Sequence, residues 1–400
     1  MKISFIQPSR NNLKYLKWSY EAIRKNLSHK EHEICVADDF SNDGTLEWCK
    51  ETSEKDPHFK FIRNEGPTRL GHTILYDRLI NEVATNDVVM IYHADMYACP
   101  NFDKYVEKYI QPGTIVSLTR IEPPLHPPGP EKIVQAFGTE PEEFNEAGLL
   151  KWFNDTRLTR KDKTTEGIFA PWAIYKSDFQ SIGGHDDLYA PQSKEDSDIF
   201  NRFLLNGYKF IQTWEGCVYH MTCRGSRYNP TLTTVGKESD EWLAQNNRSA
   251  RNFIRKWGHF VKHNDVMKPI VPNRYDVGFV VRNCDEYKLA LLEPWCDTIY
   301  TDVPYDRYIN AEQKNTKFNL TKKLKRYEDQ KLNDVIIEFD ATKISNDSFE
   351  FFNMIQLMLE DSGQVGTLEY DIFKLSINKL NTYSKQLIEI KDEWYNKKLL

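Results

Sequence analysis

Acidic and polar side chains gather where apolar runs of the sequence end. Val36-Ala37 gives way to Asp38-Asp39, and the most apolar run, Asp87–Tyr92, gives way to His93-Ala94-Asp95. The first run, Ile3–Ile6, is followed by Pro8-Ser9-Arg10-Asn11. Further along, Lys194-Glu195-Asp196 opens a helical pattern, and His220 closes the run Cys217–Tyr219. Each of these has a plain structural use. An aspartate pair caps a following helix, acids in a first turn answer the helix dipole, and a strand-end histidine is most often a satisfied structural residue. Their recurrence at successive run ends points to a ligand instead, because carboxylates there can accept hydrogen bonds from N–H and O–H groups.

The elements that must position them alternate. Strands are expected at Ile3–Ile6, Glu33–Ala37, Phe59–Arg63 and Asp87–Tyr92, with helices at about 13–26, after Ser41-Asn42-Asp43-Gly44, and at about 69–84. Strand, helix, strand in steady succession implies right-handed crossovers and a mostly parallel sheet, whose ligand lies beyond the carboxyl ends of the strands. Pro123–Pro130 reads as a loop leaving the sheet, and Thr139-Glu140-Pro141-Glu142 as a helix start with Thr139 as cap. Phe169–Tyr175, Phe210–Trp214 and Cys217–Tyr219 read as strands, and Glu195–Asn206 as a helix stopped by Gly207. Phe253, Ile254, Trp257, Phe260 and Val261 recur at helical spacing, as in a helix packed on its own domain. Beyond Pro269–Pro272, strands are expected at Val277–Val281, Thr298–Tyr300, Val335–Phe339 and Leu368–Leu375, with a helix at Phe349–Leu359.

At 400 residues the chain calls for two domains, drawn here at 1–265 and 273–400. A hydrophobic fraction of 40% with 13% aromatics supports packed cores. A net charge of −6 gives no footing to nucleic acid. The seven cysteines are dispersed, with no CxxC pair, which reads as reduced thiols. With no cationic segment and apolar stretch ahead of Ile3, and no run long enough to span a bilayer, a cytoplasmic protein is expected.

Residues 3–227 resemble a family 2 glycosyltransferase of the GT-A fold, on four motifs in that family's order: Pro8-Ser9-Arg10-Asn11; Val36-Ala37-Asp38-Asp39-Phe40-Ser41-Asn42-Asp43-Gly44-Thr45; Tyr92-His93-Ala94-Asp95-Met96 in the place of DxD; and Gly183-Gly184-His185-Asp186-Asp187 followed by Glu195-Asp196, Arg202 and Gly207. The resemblance implies a Rossmann-like, mostly parallel mixed sheet flanked by helices, with a second, smaller α/β domain after it. It implies inverting transfer of a sugar from a nucleoside-diphosphate sugar to a hydroxyl of a glycan or another acceptor. Pro8, Ser9, Arg10, Asn11, Asp38, Asp39, Arg69, His93, Ala94, Asp95, Gly184 and His185 would then face the donor. Asp95 is the expected carboxylate ligand of a divalent cation, Mn2+ or Mg2+, with His220 as a further ligand. His93 departs from the family pattern, which has an acid there; an imidazole at this point either favours manganese over magnesium or donates a hydrogen bond to phosphate or ribose. Asp196 would be the base and Glu195 would orient hydroxyls. Arg69, Arg224 and Arg227 are candidates to clamp phosphate, and Trp172 and Trp214 are core or sugar-stacking residues.

Two other functions fit parts of the pattern. A nucleotidyltransferase would show a glycine-rich basic loop after the first strand, which Pro8-Ser9-Arg10-Asn11 is not. A non-catalytic nucleotide- or sugar-binding module would have little need of Asp95, Glu195, Asp196 and His220 together. The second domain reads as a module for acceptor recognition or self-association into a homo-oligomer, with Asp340, Glu369, Tyr370 and Asp371 as scattered polar residues on its strands.

Overall fold

The computed structural model describes residues 1–222 and 238–388. The chain divides into two compact units, Met1–Ala244 with His263–Pro269, and Gln245–Lys262 with Ile270–Leu400.

The first unit is built on one mixed sheet. Its strands are β1 (Ile3–Ser9), β2 (Glu33–Asp39), β3 (Phe59–Asn64), β4 (Val88–Ile91), β5 (Met96–Ala98), β6 (Thr114–Glu122), β7 (Ile133–Val134), β8 (Thr164–Thr165), β9 (Trp172–Tyr175) and β10 (Lys209–His220). They run in the order β3-β2-β1-β4-β9-β6-β10-β5, with β7 beside β6 and β8 beside β10. The first four are mutually parallel, β9 is antiparallel to both neighbours, and β6 and β10 are parallel. This is the α/β, GT-A arrangement expected. Every residue of β1 and β2 is buried, as for parallel strands covered on both faces. The helix Leu13–Asn26 turns Tyr15, Leu16, Ser19, Ala22, Ile23 and Asn26 inward, a stripe at three- and four-residue spacing.

Several local readings change. The helix expected at 69–84 is α-helical only over Gly71–Arg78 and continues as a π turn, Leu79–Val83. Thr139 does not start a long helix. Pro141–Glu143 is a single 3-10 turn, and the helix begins at Glu146, capped by the Asn145 side chain accepting from the Gly148 amide at 2.9 Å. Phe210–Trp214 and Cys217–Tyr219 are one strand, β10, whose register slips between Thr213 and Cys217. Such a bulge re-aims the strand end and looks like a break in sequence. The helix Asp240–Trp257 buries Phe253, Ile254 and Trp257, but it ends before Phe260, which is 46% exposed.

The second unit carries a sheet of β11 (Val277–Arg282), β12 (Thr298–Thr301), β13 (Leu324–Arg326), β14 (Val335–Asp340), β15 (Gly366–Tyr370) and β16 (Phe373–Ile377), in the order β13-β12-β11-β14-β16-β15. The expected strand Leu368–Leu375 is therefore a hairpin. Asp371 takes φ of 50°, a left-handed turn that aspartate tolerates without glycine, so no glycine or proline marks the reversal.

Candidate functional site

Strand register assembles the first cluster. After β4, Tyr92-His93-Ala94-Asp95 crosses to β5, which pairs antiparallel with β10 at Met96 and His220. On the other side β10 runs parallel to β6, with Tyr219 opposite Ile121. His220 therefore lies between Asp95 and Glu122. Its Nε2 is 3.4 Å from Asp95 Oδ1, and its Nδ1 is 2.9 Å from Glu122 Oε1. His93, Asp95 and His220 each offer a ligand atom, all within 4.8 Å of one another. Two imidazoles and one carboxylate suit a borderline dication better than an all-oxygen shell would. Burial alone would lower the His220 imidazole, but the facing carboxylates, Asp95 and then Glu122, push it up to about 9. Burial would raise the Asp95 carboxyl, but His220 and then His93 hold it below its ordinary value. His72, whose ring stacks 6.4 Å from that of His93, is driven down to about 3 by burial first and then by His93 and Arg69, and so stays neutral.

A second cluster forms around the loop Gly183-Gly184-His185 and the helix Glu195–Leu205. Within that helix Arg202 pairs with Asp198 at 2.8 Å, both fully buried, and donates to the carbonyls of Ile182 and Gly184 at 2.8 and 2.7 Å. The helix thereby fixes the loop. Gly184, at φ of +68°, has room for no side chain: a Cβ would lie 2.2 Å from Asp77 Oδ2. Asp77 uses that space to accept from the His185 amide at 3.0 Å and to engage His185 Nδ1 at 2.7 Å. The His185 ring packs between Tyr76 and Phe179, and its Nε2 is buried without a protein partner. Glu195 is buried too, and its Oε2 has no partner. Burial, then the neighbouring Asp196 charge, pushes its carboxyl up to about 7. Asp196 is half-buried. The two clusters share one electrostatic neighbourhood, because the buried Tyr76 hydroxyl feels Asp196, Glu195 and Asp95 together.

Residues 4–182 match the sequence model of Glycosyl transferase family 2. They are a family 2 glycosyltransferase domain. The comparison with curated proteins gives no match. Among solved structures the chain is similar to GalNAc-T7 with UDP, GalNAc and Mn2+, at 14% identity over 63% of this chain and 48% of that one, TM-score 0.44. It is also similar to S. aureus TarS 1-349 in complex with UDP (15% identity, 55% and 60% covered, TM-score 0.40). A third is the mannosyltransferase PcManGT from Pyrobaculum calidifontis in complex with GDP-Man and Mn2+ (16% identity, 62% of each chain, TM-score 0.39). The chain thus spans 48 to 62% of the length of these three.

Within the glycosyltransferase domain the strand ends at β1 and β2 are more heavily engaged than their sequence implies. Asp38 accepts from the Ser41 amide at 3.0 Å and is paired with Arg63. Asp39 accepts from Asn64 Nδ2 at 2.7 Å and from the amides of Leu70 and Gly71 at 3.1 and 2.8 Å. It thus serves the start of the helix Gly71–Arg78, not the helix that follows it in sequence. Pro8 and Ser9 are buried, with the Ser9 hydroxyl lacking a partner, while Arg10 and Asn11 are exposed. Arg69 donates to Gln192 at 2.7 Å and lies 3.9 Å from Asp39. Ala94 is buried between its two neighbours in the first cluster. Trp172 and Trp214 are both buried and belong to the packing. Arg224 and Arg227 lie outside the described residues. Sequence reading missed Glu122, Asp77 and Asp198: the first two act through histidines 98 and 108 residues away, and Asp198 acts through Arg202 one helical turn on, a pair that reads in sequence as an ordinary surface pair.

Proposed function

We propose that the protein is a metal-dependent, inverting glycosyltransferase using a nucleoside-diphosphate sugar. The carrying observation is the convergence of His93, Asp95 and His220, the first two inside the family 2 match at residues 4–182. A dication held by these three would neutralise charge on the departing diphosphate, and their nitrogen content favours Mn2+ over Mg2+. Ser9, Arg10, Asn11, Asp38 and Asp39 line the nucleotide side. The carboxylate oxygens of Asp38 and Asp39 keep lone pairs for base and ribose donors beyond their present bonds. Arg69 stands toward the phosphates.

Asp196 receives the proton of the acceptor hydroxyl as that oxygen attacks the anomeric carbon and the bond to the leaving phosphate oxygen breaks. Single displacement inverts the centre. Glu195, kept partly protonated by its burial, hydrogen-bonds a substrate hydroxyl. Gly184 brings the backbone close to the sugar, and His185 presents Nε2 to it. Residues 273–400, the expected accessory domain, are assigned to acceptor recognition or self-association. Among the described residues no helix is long and apolar enough to cross a membrane.

The test is thermal stabilisation by a panel of nucleoside diphosphates with and without Mn2+. One nucleotide should stabilise the protein, the shift should require Mn2+, and Asp95→Ala should abolish it. Stabilisation indifferent to metal would remove the metal from the reading. No shift with any nucleotide would overturn the glycosyltransferase itself.

A further inference from the structure

We infer that Glu122, paired with Lys132 and Arg120, is a positioning residue that fixes His220 with Nε2 turned toward a dication; this rests on the metal-dependent reading above. Glu122 ends β6, and its side chain is 3% exposed. Its Oε1 faces His220 Nδ1 at 2.9 Å and Arg120 Nη1 at 3.4 Å, and its Oε2 accepts from Lys132 Nζ at 3.1 Å. The short strand β7 pairs with β6 at Glu122 and Val134, and the Gln135 amide donates to the Glu122 carbonyl at 2.9 Å, so Lys132 is delivered by backbone pairing.

A buried carboxylate is costly unless it is paired and hydrogen-bonded, and an apolar residue would fill this strand end without that cost. A neutral imidazole has one N–H and one lone pair. When Nδ1–H is donated to an anion, the lone pair sits on Nε2, and the ring becomes a better donor toward a cation. That is the nitrogen 3.4 Å from Asp95. Glu122 therefore sets both the tautomer and the direction of the ligand without touching the metal.

The probe is Mn2+ alone, titrated against wild type, Glu122→Ala, Glu122→Gln and Lys132→Met, with free Mn2+ read by electron paramagnetic resonance. Glu122→Ala should weaken Mn2+ binding by about 10- to 100-fold, the usual effect of losing such a partner. Glu122→Gln keeps an acceptor for Nδ1–H and should fall between Ala and wild type. The visible absorption of bound Co2+ should shift in Glu122→Ala, which a purely structural tie would not cause. Nucleoside-diphosphate binding in EDTA should be unchanged in all four. Wild-type Mn2+ affinity in a folded Glu122→Ala overturns the inference while leaving the metal reading intact. If Glu122→Ala does not fold, wild-type affinity in both Glu122→Gln and Lys132→Met overturns it. A wild-type protein that binds no Mn2+ overturns both.

Discussion

Gly183 and Gly184 are adjacent, both have positive φ, and yet they should respond very differently to alanine. Gly183, at φ of +80°, has nothing within 4 Å of an added Cβ, whereas at Gly184 the Cβ would lie 2.2 Å from Asp77 Oδ2. Each substitution carries the left-handed backbone cost, about 1–2 kcal/mol. Gly184→Ala must in addition move Asp77 by roughly 1 Å to restore an ordinary contact, which breaks its bonds to the His185 amide and ring. The equivalent of one hydrogen bond to a charged group is worth about 1.5–3 kcal/mol, so Gly184→Ala should cost about 2.5–5 kcal/mol in all. The excess over Gly183→Ala, about 2 kcal/mol, corresponds to about 4–8 °C in Tm for a unit of this size. A double-mutant cycle isolates the cause: in an Asp77→Ala background the two alanines should cost nearly the same, leaving a coupling of about 2 kcal/mol. Thermal or urea unfolding of the six proteins measures it. Equal costs in the wild-type background, or no coupling to Asp77, would refute the reasoning that Gly184 exists to admit the Asp77–His185 pair.

Two further outcomes follow from the buried charges. Glu195 holds its proton more tightly when folded, up to about 7, so stability is greatest below the ordinary carboxylate range and declines as pH rises through about 7. Glu195→Gln should remove that decline and be more stable than wild type at pH 8, while losing activity; a variant less stable at pH 8 would contradict the assignment. Asp198→Ala leaves Arg202 buried beside the Ile182 and Gly184 carbonyls without its carboxylate, which should cost about 3–5 kcal/mol, read by urea unfolding, and a loss under about 1 kcal/mol would show that the pair does not fix the loop.

The parts legible in the sequence were those carried by contiguous pattern. The strands up to β4, the helix Leu13–Asn26 and the opening of the helix at Glu195 follow from apolar runs and their flanking residues. The ends of β4 and β10 could be named as sites because His93, Asp95 and His220 close strand-like runs. What the sequence hid was pairing across the sheet. Nothing near Glu122 announces that β6 lies beside β10, and nothing near Asp77 announces the histidine 108 residues away. The bulge between Thr213 and Cys217 hid the continuity of β10, although that continuity is what carries His220 to Asp95. The hairpin at Asp371 was hidden for a simpler reason, since its reversal uses no glycine.

Both clusters hold groups that cost local stability. A folded protein gains nothing from a buried Glu195 that resists ionisation, from a His185 nitrogen without a partner, or from three histidine rings lined up as His72, His93 and His220. Each is tolerated because rigid partners over-determine it: Asp77 for His185, Glu122 for His220, and the Asp198–Arg202 pair for the loop between them. The partners are satisfied, whereas His185 Nε2 and Glu195 Oε2 are not. Perturbing a partner should therefore change ligand affinity and stability together, whereas neutralising a held group, as in Glu195→Gln, should lower activity and raise stability.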